Sequence, residues 1–182
     1  MNLLNLLYEN RCLVVSDINE HLPTLKRYAE DCEHITEMGV REANSTFGFL
    51  MGKPKVMISI DILPLEQFGN EESAIKKIAS DNGVDFHFIL ANTLEIEIGE
   101  TDLLFLDTDH TYEQVKKELS LHGNKSKKYI IFHDTTTFAN GGFEKDEIGI
   151  WSAIEEFIDM NPHWIINEKF ENNNGLTILK RI

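Results

Sequence analysis

The sequence predicts an α/β fold, a mostly parallel sheet with helices on both faces and an antiparallel C-terminal hairpin strand. Three observations predict it. Strand-like and helix-like stretches alternate five times between His34 and Phe132. Two of the strand-like runs, Leu103 to Leu106 and Tyr129 to Phe132, stop abruptly in acids and histidines, as buried parallel strands do at the carboxyl edge of a sheet. The chain then ends in two runs, His163 to Phe170 and Leu176 to Arg181, joined by Glu171-Asn-Asn-Asn-Gly175, which is a hairpin signal. Alternating strand and helix builds a parallel sheet because each crossover must return over one face.

The elements follow in order. Residues 1 to 18 give no clear assignment, and Asp17-Ile-Asn-Glu-His is polar and turn-like. Asn19 can cap a helix from about Glu20 to Asp31, with Leu22, Leu25 and Tyr28 on one face. His34 to Met38 is the first strand, and Gly39-Val-Arg-Glu-Ala-Asn-Ser-Thr leads into a helix reaching about Met51. Gly52-Lys-Pro-Lys breaks that helix, and the β-branched run Val56 to Ile60 is the second strand, ending in Asp61. Pro64 to Asn70 is loop, and Glu71 to Asp81 is a helix stopped at Asn82-Gly83. Phe86 to Leu90 is the third strand, and Asn92 to Ile98 a loop or one helical turn. Leu103 to Leu106, the helix Tyr112 to Leu121, and Tyr129 to Phe132 complete the alternation. Thr135 to Ile148 is a polar loop with glycines, and Ile150, Ile154, Phe157 and Ile158 give Ile150 to Met160 an apolar helical face.

Size and charge narrow the function. A length of 182 residues suits one domain, with an N-terminal helical segment over 1–33 and a core over 34–182. The net charge of -14 would repel phosphate backbones, which argues against sequence-independent nucleic-acid binding and leaves a small neutral or cationic substrate open. No apolar run approaches the ~20 residues of a membrane span. Met1 to Tyr8 is apolar but lacks a basic start, and Glu9 follows at once, so no signal peptide is expected. Cys12 and Cys32 lie in no paired metal motif, and a reducing, cytoplasmic setting is the expectation, with a bridge between them the lesser alternative.

Two clusters carry chemistry. Ligands in open α/β sheets sit just beyond the carboxyl ends of the strands. That rule puts Asp107, Asp109, His110, His133 and Asp134 around one crevice. Asp109 alone reads better as a helix cap or turn residue; two neighbouring strand ends that both finish in Asp and His do not. The second cluster begins with Gly39, at the first strand-to-helix turn, where the backbone can approach a ligand; the alternative is a plain tight turn. Ala43 stands where a second glycine would be expected, so no Gly-x-Gly-x-x-Gly fingerprint is present. Asp61 ends the second strand 22 residues later, where an acid can accept two hydrogen bonds from ribose hydroxyls or else cap a helix. Asn92 and Thr93 follow the third strand and would face a base ring or form a polar turn.

Glu37-x-Gly39, Asp61, Asp107 and the final hairpin together resemble a class I S-adenosylmethionine-dependent methyltransferase over roughly residues 34 to 182. More narrowly, FLDTDHTYEQVKKEL, YIIFHDTTTF and GIWSAIEEFIDMNPHWIINEKFENNNGLTIL are similar to the cephalosporin hydroxylase-like family, a relative of small-molecule and sugar O-methyltransferases. The resemblance implies a Rossmann-like seven-stranded sheet with its last strand antiparallel. It implies that Glu37 and Gly39 line the methionine end of S-adenosylmethionine, that Ser45 contacts its carboxylate, that Asp61 holds the ribose, that Asn92 and Thr93 lie near the adenine, and that Asp107 flanks the sulfonium.

In catechol O-methyltransferase-like enzymes a divalent cation is held by an acid after the fourth strand and a pair after the fifth. The matching positions here are Asp107, His133 and Asp134. His133 departs from the usual all-oxygen set; two carboxylates and an imidazole suit Mg²⁺, or Mn²⁺ and Fe²⁺ rather better because of the nitrogen, and also fit an open non-haem iron site. Adjacent strand residues point to opposite faces, so His133 and Asp134 share one ion only if the strand has ended. His110, three residues past Asp107, is the expected general base. Asp109 is an alternative ligand, Tyr112 reads as a helix start rather than a substrate contact, and Thr135 to Thr137 with Asn140 to Gly142 would form a mobile lid. His21, His87, His122 and His163 read as surface or core residues, and Trp151 and Trp164 as packing.

The activity the resemblance implies is O-methyl transfer to a small hydroxylated molecule, a sugar in its narrowest form, assisted by Mg²⁺ or Mn²⁺. The competing readings are a nucleotide- or dinucleotide-binding oxidoreductase, which the missing glycines oppose, and a non-catalytic methyltransferase-like binding module. The short N-terminal segment leaves the acceptor site either open or completed by the second subunit of a homo-oligomer.

Overall fold

The computed structural model describes residues 2–141 and 148–182, so Gly142 of the expected lid lies outside the described residues. Seven strands form: β1 His34–Met38, β2 Val56–Asp61, β3 Asp85–Leu90, β4 Thr101–Leu106, β5 Ser126–His133, β6 Trp164–Phe170 and β7 Leu176–Arg181. Six α-helices accompany them: α1 Leu3–Leu13, α2 Leu22–Ala29, α3 Asn44–Gly52, α4 Glu72–Ser80, α5 Tyr112–His122 and α6 Ile150–Met160. The strands make one sheet in the order β3-β2-β1-β4-β5-β7-β6, and β7 runs antiparallel to both its neighbours. This is the expected Rossmann-like α/β fold. No described helix is long and apolar enough to cross a membrane. Cys12 and Cys32 form no disulfide.

The chain divides into two compact units, Met1–Thr93 and Leu94–Ile182. In the first, β1, β2 and β3 pair in parallel, with Glu37 beside Ser59. Helix α1 is the element the sequence did not place. Its Asn2 side chain caps it by accepting from the Asn5 N–H at 2.9 Å. Only Leu4 of the helix is buried, while Leu3, Leu6 and Leu13 are exposed, so its leucines draw no apolar stripe. Helices α2 and α3 pack closely: a Cβ at Gly52 would collide with Ala29.

In the second unit, Leu106 of β4 lies beside Phe132 of β5, which brings both strand ends to one level. The core is formed by Leu103 to Leu106, Ile130 to Phe132, Ile178, Leu179 and Trp164, all buried. Strand β5 begins three residues earlier than the apolar run suggests, at Ser126, whose hydroxyl donates to the Asp102 carbonyl oxygen at 3.2 Å. Beyond β6, the turn to β7 carries Asn173, Asn174 and Gly175 with φ of 46°, 69° and 97°. Asparagine and glycine are the residues that accept this left-handed backbone most readily.

Candidate functional site

The first unit presents the loop between β1 and α3. Gly39 has φ 85°, and the loop then visits left-handed backbone at Arg41 (φ 44°) and Ala43 (φ 60°). The position that lacks the expected second glycine thus keeps a glycine-like conformation, at a strain of about 1–3 kcal/mol. Asp61 holds the loop in place. Its Oδ2 accepts from the N–H groups of Val40 at 2.8 Å and Arg41 at 3.1 Å, and its Oδ1 accepts from Leu63 N–H at 2.9 Å. Each carboxylate oxygen can take two donors, so Oδ1 retains capacity for one more and Oδ2 has none.

Glu37 is fully buried at the end of β1. Three hydroxyls donate to it: Ser45 at 2.6 Å, Thr46 at 2.8 Å and Ser59 at 2.5 Å. Glu37 and Ser45, both expected at the methionine end of the cofactor, also hydrogen-bond each other, and the network binds the first turn of α3 to β1 and β2. Asn92 is half-buried and Thr93 buried, two and three residues beyond the end of β3.

The second unit gathers four ionisable groups. His110 Nε2 stands 2.6 Å from Asp134 Oδ2 and 3.4 Å from Asp107 Oδ1. His133 Nδ1 stands 3.2 Å from Asp107 Oδ1 and 3.4 Å from Asp134 Oδ2. Both histidines therefore share the same two carboxylates, so the expected base and the expected ligands form one cluster. The condition on strand ending is met at the residue concerned. Strand β5 stops at His133, and Asp134 has φ 60°, which turns its carboxylate back toward the His133 ring. A non-glycine residue held left-handed and buried marks a place where the fold over-determines a strained conformation.

The electrostatics of the cluster are mutual. Burial pushes the Asp107 carboxyl up, but the charge on His133 and hydrogen bonds from both histidines hold it well below the usual carboxylate range. Burial also pushes Asp134 up, and the bonds from His110 and His133 outweigh it. Burial lowers the His110 pKa, yet the bonds to Asp107 and Asp134 raise it to about 9. His133 is lowered by burial and raised, chiefly by the Asp107 charge, to about 11. In the cation-free protein the cluster is thus two carboxylates and two imidazoliums. Histidines whose folded pKa lies above the unfolded value stabilise fully below about pH 6.5, and that contribution is lost as the pH rises toward 9 and beyond. Chelator-treated protein is expected to lose urea resistance steadily between pH 6.5 and 9. A midpoint that is flat or rising over that range would contradict the cluster.

The residues present fit a cation. Asp107, His110 and Asp134 each offer one ligand atom, all within 4.8 Å of one another. Asp134 Oδ1 is buried and has no hydrogen-bond partner among the described residues, a costly condition that a cation relieves.

Several supporting residues carried no signal in the sequence. Phe138 stacks on His110, with ring centroids 4.5 Å apart and planes 10° from parallel. Buried Glu118 accepts from the Thr108 hydroxyl at 2.9 Å, fixing the residue next to Asp107. The Asn173 carbonyl lies 3.2 Å from His133 Nε2. Asp109 is exposed, takes the Thr111 hydroxyl at 3.3 Å, and stays outside the cluster. Tyr112 begins α5, with its hydroxyl 2.9 Å from Glu156. Thr135 to Thr137 do not form a lid. Their N–H groups donate to the Gly175 and Asn174 carbonyls at 3.4, 2.8 and 3.0 Å, which makes them a pinned turn. His21 and His122 are buried and His87 is exposed. Trp164 is buried, whereas half-buried Trp151 carries Lys169 Nζ 3.8 Å from its ring centroid.

Comparison with solved structures gives this arrangement its setting. A Staphylococcus aureus protein named for caffeoyl-CoA O-methyltransferase is 16% identical, with a TM-score of 0.67 over 100% of this chain and 93% of that one. A Podospora anserina methyltransferase with bound S-adenosylhomocysteine is 14% identical, with a TM-score of 0.65 over 98% and 87%. A Bacillus cereus O-methyltransferase, also in complex with S-adenosylhomocysteine, is 15% identical, with a TM-score of 0.62 over 93% and 83%. The fold is that of the class I methyltransferases. No family model matches the sequence, and no curated protein matches it either. Within the methyltransferase fold, the loop after β1 and the acid ending β2 belong to the first unit, and the cluster after β4 and β5 to the second.

Proposed function

We propose that this protein is an S-adenosylmethionine-dependent O-methyltransferase, assisted by a divalent cation, that acts on a small hydroxylated molecule, a sugar being its narrowest form. The single observation that carries the reading is the convergence of Asp107, His110, His133 and Asp134 at two strand ends of a methyltransferase fold. An idle surface has no need of four buried or half-buried ionisable groups, each of which costs desolvation energy.

In this reading Gly39 and the loop to α3 receive the methionine end of the cofactor; the Ser45 hydroxyl proton is directed at Glu37, so its oxygen accepts from the methionine ammonium group rather than donating to the carboxylate. Asp61 takes one ribose hydroxyl on Oδ1, since Oδ2 is already committed to the loop. Asn92 and Thr93 border the adenine. Asp107 and Asp134 hold the cation, Mg²⁺ or Mn²⁺, with His133 as third ligand because its Nδ1 faces both carboxylates at 3.2 and 3.4 Å; His110, which also lies within reach of an ion between them, is then left to act as the base. When bound, such an ion lowers the pKa of an acceptor hydroxyl. The His110 imidazole takes the acceptor's proton as the oxygen attacks the methyl group in line. A cation held by Asp107 and Asp134 would offset the anionic charge that raises the His110 pKa and so return the ring toward the neutral form that a base requires. Phe138 keeps the ring from turning away. The cytoplasm is the setting that fits a small-molecule enzyme whose two cysteines form no disulfide.

Calorimetric titration with S-adenosylhomocysteine, with and without Mn²⁺, tests the reading. Binding of that ligand and not of NAD is the expected result; the reverse would favour a dinucleotide enzyme. Asp61→Ala is expected to weaken S-adenosylhomocysteine binding by roughly tenfold, the worth of one charge-assisted hydrogen bond. Unchanged affinity would remove the ribose assignment.

A further inference from the structure

The donor atoms of the second-unit cluster also specify which kind of cation it takes, an inference that rests on the proposed reading only for the presence of a cation. His133 is the deciding residue. Its Nε2 lies 3.2 Å from the Asn173 carbonyl oxygen. A carbonyl can only accept, so a ring proton sits on Nε2. In the neutral ring Nδ1 then bears the lone pair, and it faces Asp107 Oδ1 at 3.2 Å and Asp134 Oδ2 at 3.4 Å. A proton on Nδ1 occupies this place in the cation-free protein, and a cation that displaces it meets the nitrogen lone pair and two carboxylate oxygens already directed at one point.

The turn that supplies the carbonyl is built to stay in place. Asn173, Asn174 and Gly175 are all left-handed. The Asn174 carbonyl accepts from Thr136 and Thr137 N–H at 2.8 and 3.0 Å, and its side-chain oxygen accepts the Thr137 hydroxyl at 3.0 Å. Gly175 packs so closely on Thr136 that a Cβ there would collide with it. The hairpin tip is thereby tied to the turn that immediately follows His133 and Asp134.

We propose that the tip of the β6–β7 hairpin, through the Asn173 carbonyl, holds His133 as an Nδ1 donor, so that the cluster takes an imidazole-binding transition cation such as Mn²⁺, Fe²⁺ or Co²⁺ in preference to Mg²⁺. Mg²⁺ keeps oxygen ligands and gives up water reluctantly, whereas the later ions gain from an imidazole nitrogen. Asn173 is a positioning residue; His133 is the ligand it aims.

Cation-depleted protein is titrated by calorimetry with Mn²⁺ and, separately, with Mg²⁺. Mn²⁺ is expected to bind at least about tenfold more tightly. His133→Asp, which restores an all-oxygen set, is expected to shrink that ratio toward one. Gly175→Ala, which displaces the tip, is expected to lower Mn²⁺ affinity by about 10–100-fold, the usual loss when a ligand's orienting partner is disturbed. In ¹⁵N-histidine spectra of protein loaded with diamagnetic Zn²⁺, the His133 Nδ1 resonance is expected at the metal-bound position while Nε2 keeps its proton. Equal affinity for Mn²⁺ and Mg²⁺, or coordination through Nε2, overturns the inference and leaves the cation-assisted reading standing. Failure of every cation to bind overturns both. Should Gly175→Ala not fold, the His133→Asp titration and the spectra still decide.

Discussion

Replacing His110 by alanine is expected to lower turnover by about 10²–10⁴-fold, the range a positioned general base contributes, while S-adenosylhomocysteine affinity stays within about twofold. The expectation follows from three contacts. His110 reaches Asp134 at 2.6 Å, reaches Asp107 at 3.4 Å, and is held flat against Phe138. A side chain fixed on three sides adds little by flexing, so its loss acts on the chemical step. Because the ring shares its carboxylates with the proposed cation, a second measurement separates base from ligand. If turnover of His110→Ala stays low at saturating Mn²⁺, the residue moves a proton. If saturating Mn²⁺ restores it, the ring served only to hold the ion, and the base assignment falls. Wild-type activity in the alanine variant without any added cation would remove His110 from the mechanism altogether.

Glu37→Ala is expected to destabilise the protein by about 3–5 kcal/mol, a large share of the stability of an ordinary domain. The carboxylate lies in the interior and receives the hydroxyls of Ser45, Thr46 and Ser59. Removing it leaves three buried donors without their acceptor and opens a cavity between β1, β2 and the first turn of α3. Unsatisfied buried groups cost about 1–3 kcal/mol each, reduced here because hydroxyls can rotate toward other acceptors. Glu37→Gln keeps the shape and part of the acceptor capacity, so it is expected to lose less, about 1–3 kcal/mol. Chemical denaturation measures both. A loss under 1 kcal/mol for the alanine variant would mean that the network contributes little, and that Glu37 is kept for the cofactor alone.

The two predictions mark where the sequence was readable and where it was not. Asp107 and Asp134 were readable because an apolar run ending in an acid has few meanings in a parallel sheet. Glu37 was readable as a strand-end acid, but its three hydroxyl partners were not, since Ser45, Thr46 and Ser59 are spread over two elements. Within the helical segment expected over 1–33 the bounds of the first helix were not readable, because its leucines are spread round the helix and leave no periodic stripe. The start of β5 was not readable because Ser126, Lys127 and Lys128 are polar, whereas Ser126 pairs with Thr101 of β4 across a register irregularity that takes up the two lysines. The lid reading of Thr135 to Thr137 failed because a run of threonines has no sequence mark that distinguishes a loose loop from one hydrogen-bonded to a distant hairpin.

The sequence by itself determined the order of strands and helices, the hairpin, and the set of acids and histidines at the strand ends, because periodicity and local breaks are written along the chain. Tertiary structure alone decided that Asp134 turns left-handed onto the His133 side, that both histidines share one pair of carboxylates, and that the Asn173 carbonyl orients His133. Those features depend on backbone groups and torsion angles set by residues up to 40 positions away. A carbonyl is the same atom in every residue, so its direction cannot be read from the letter that carries it.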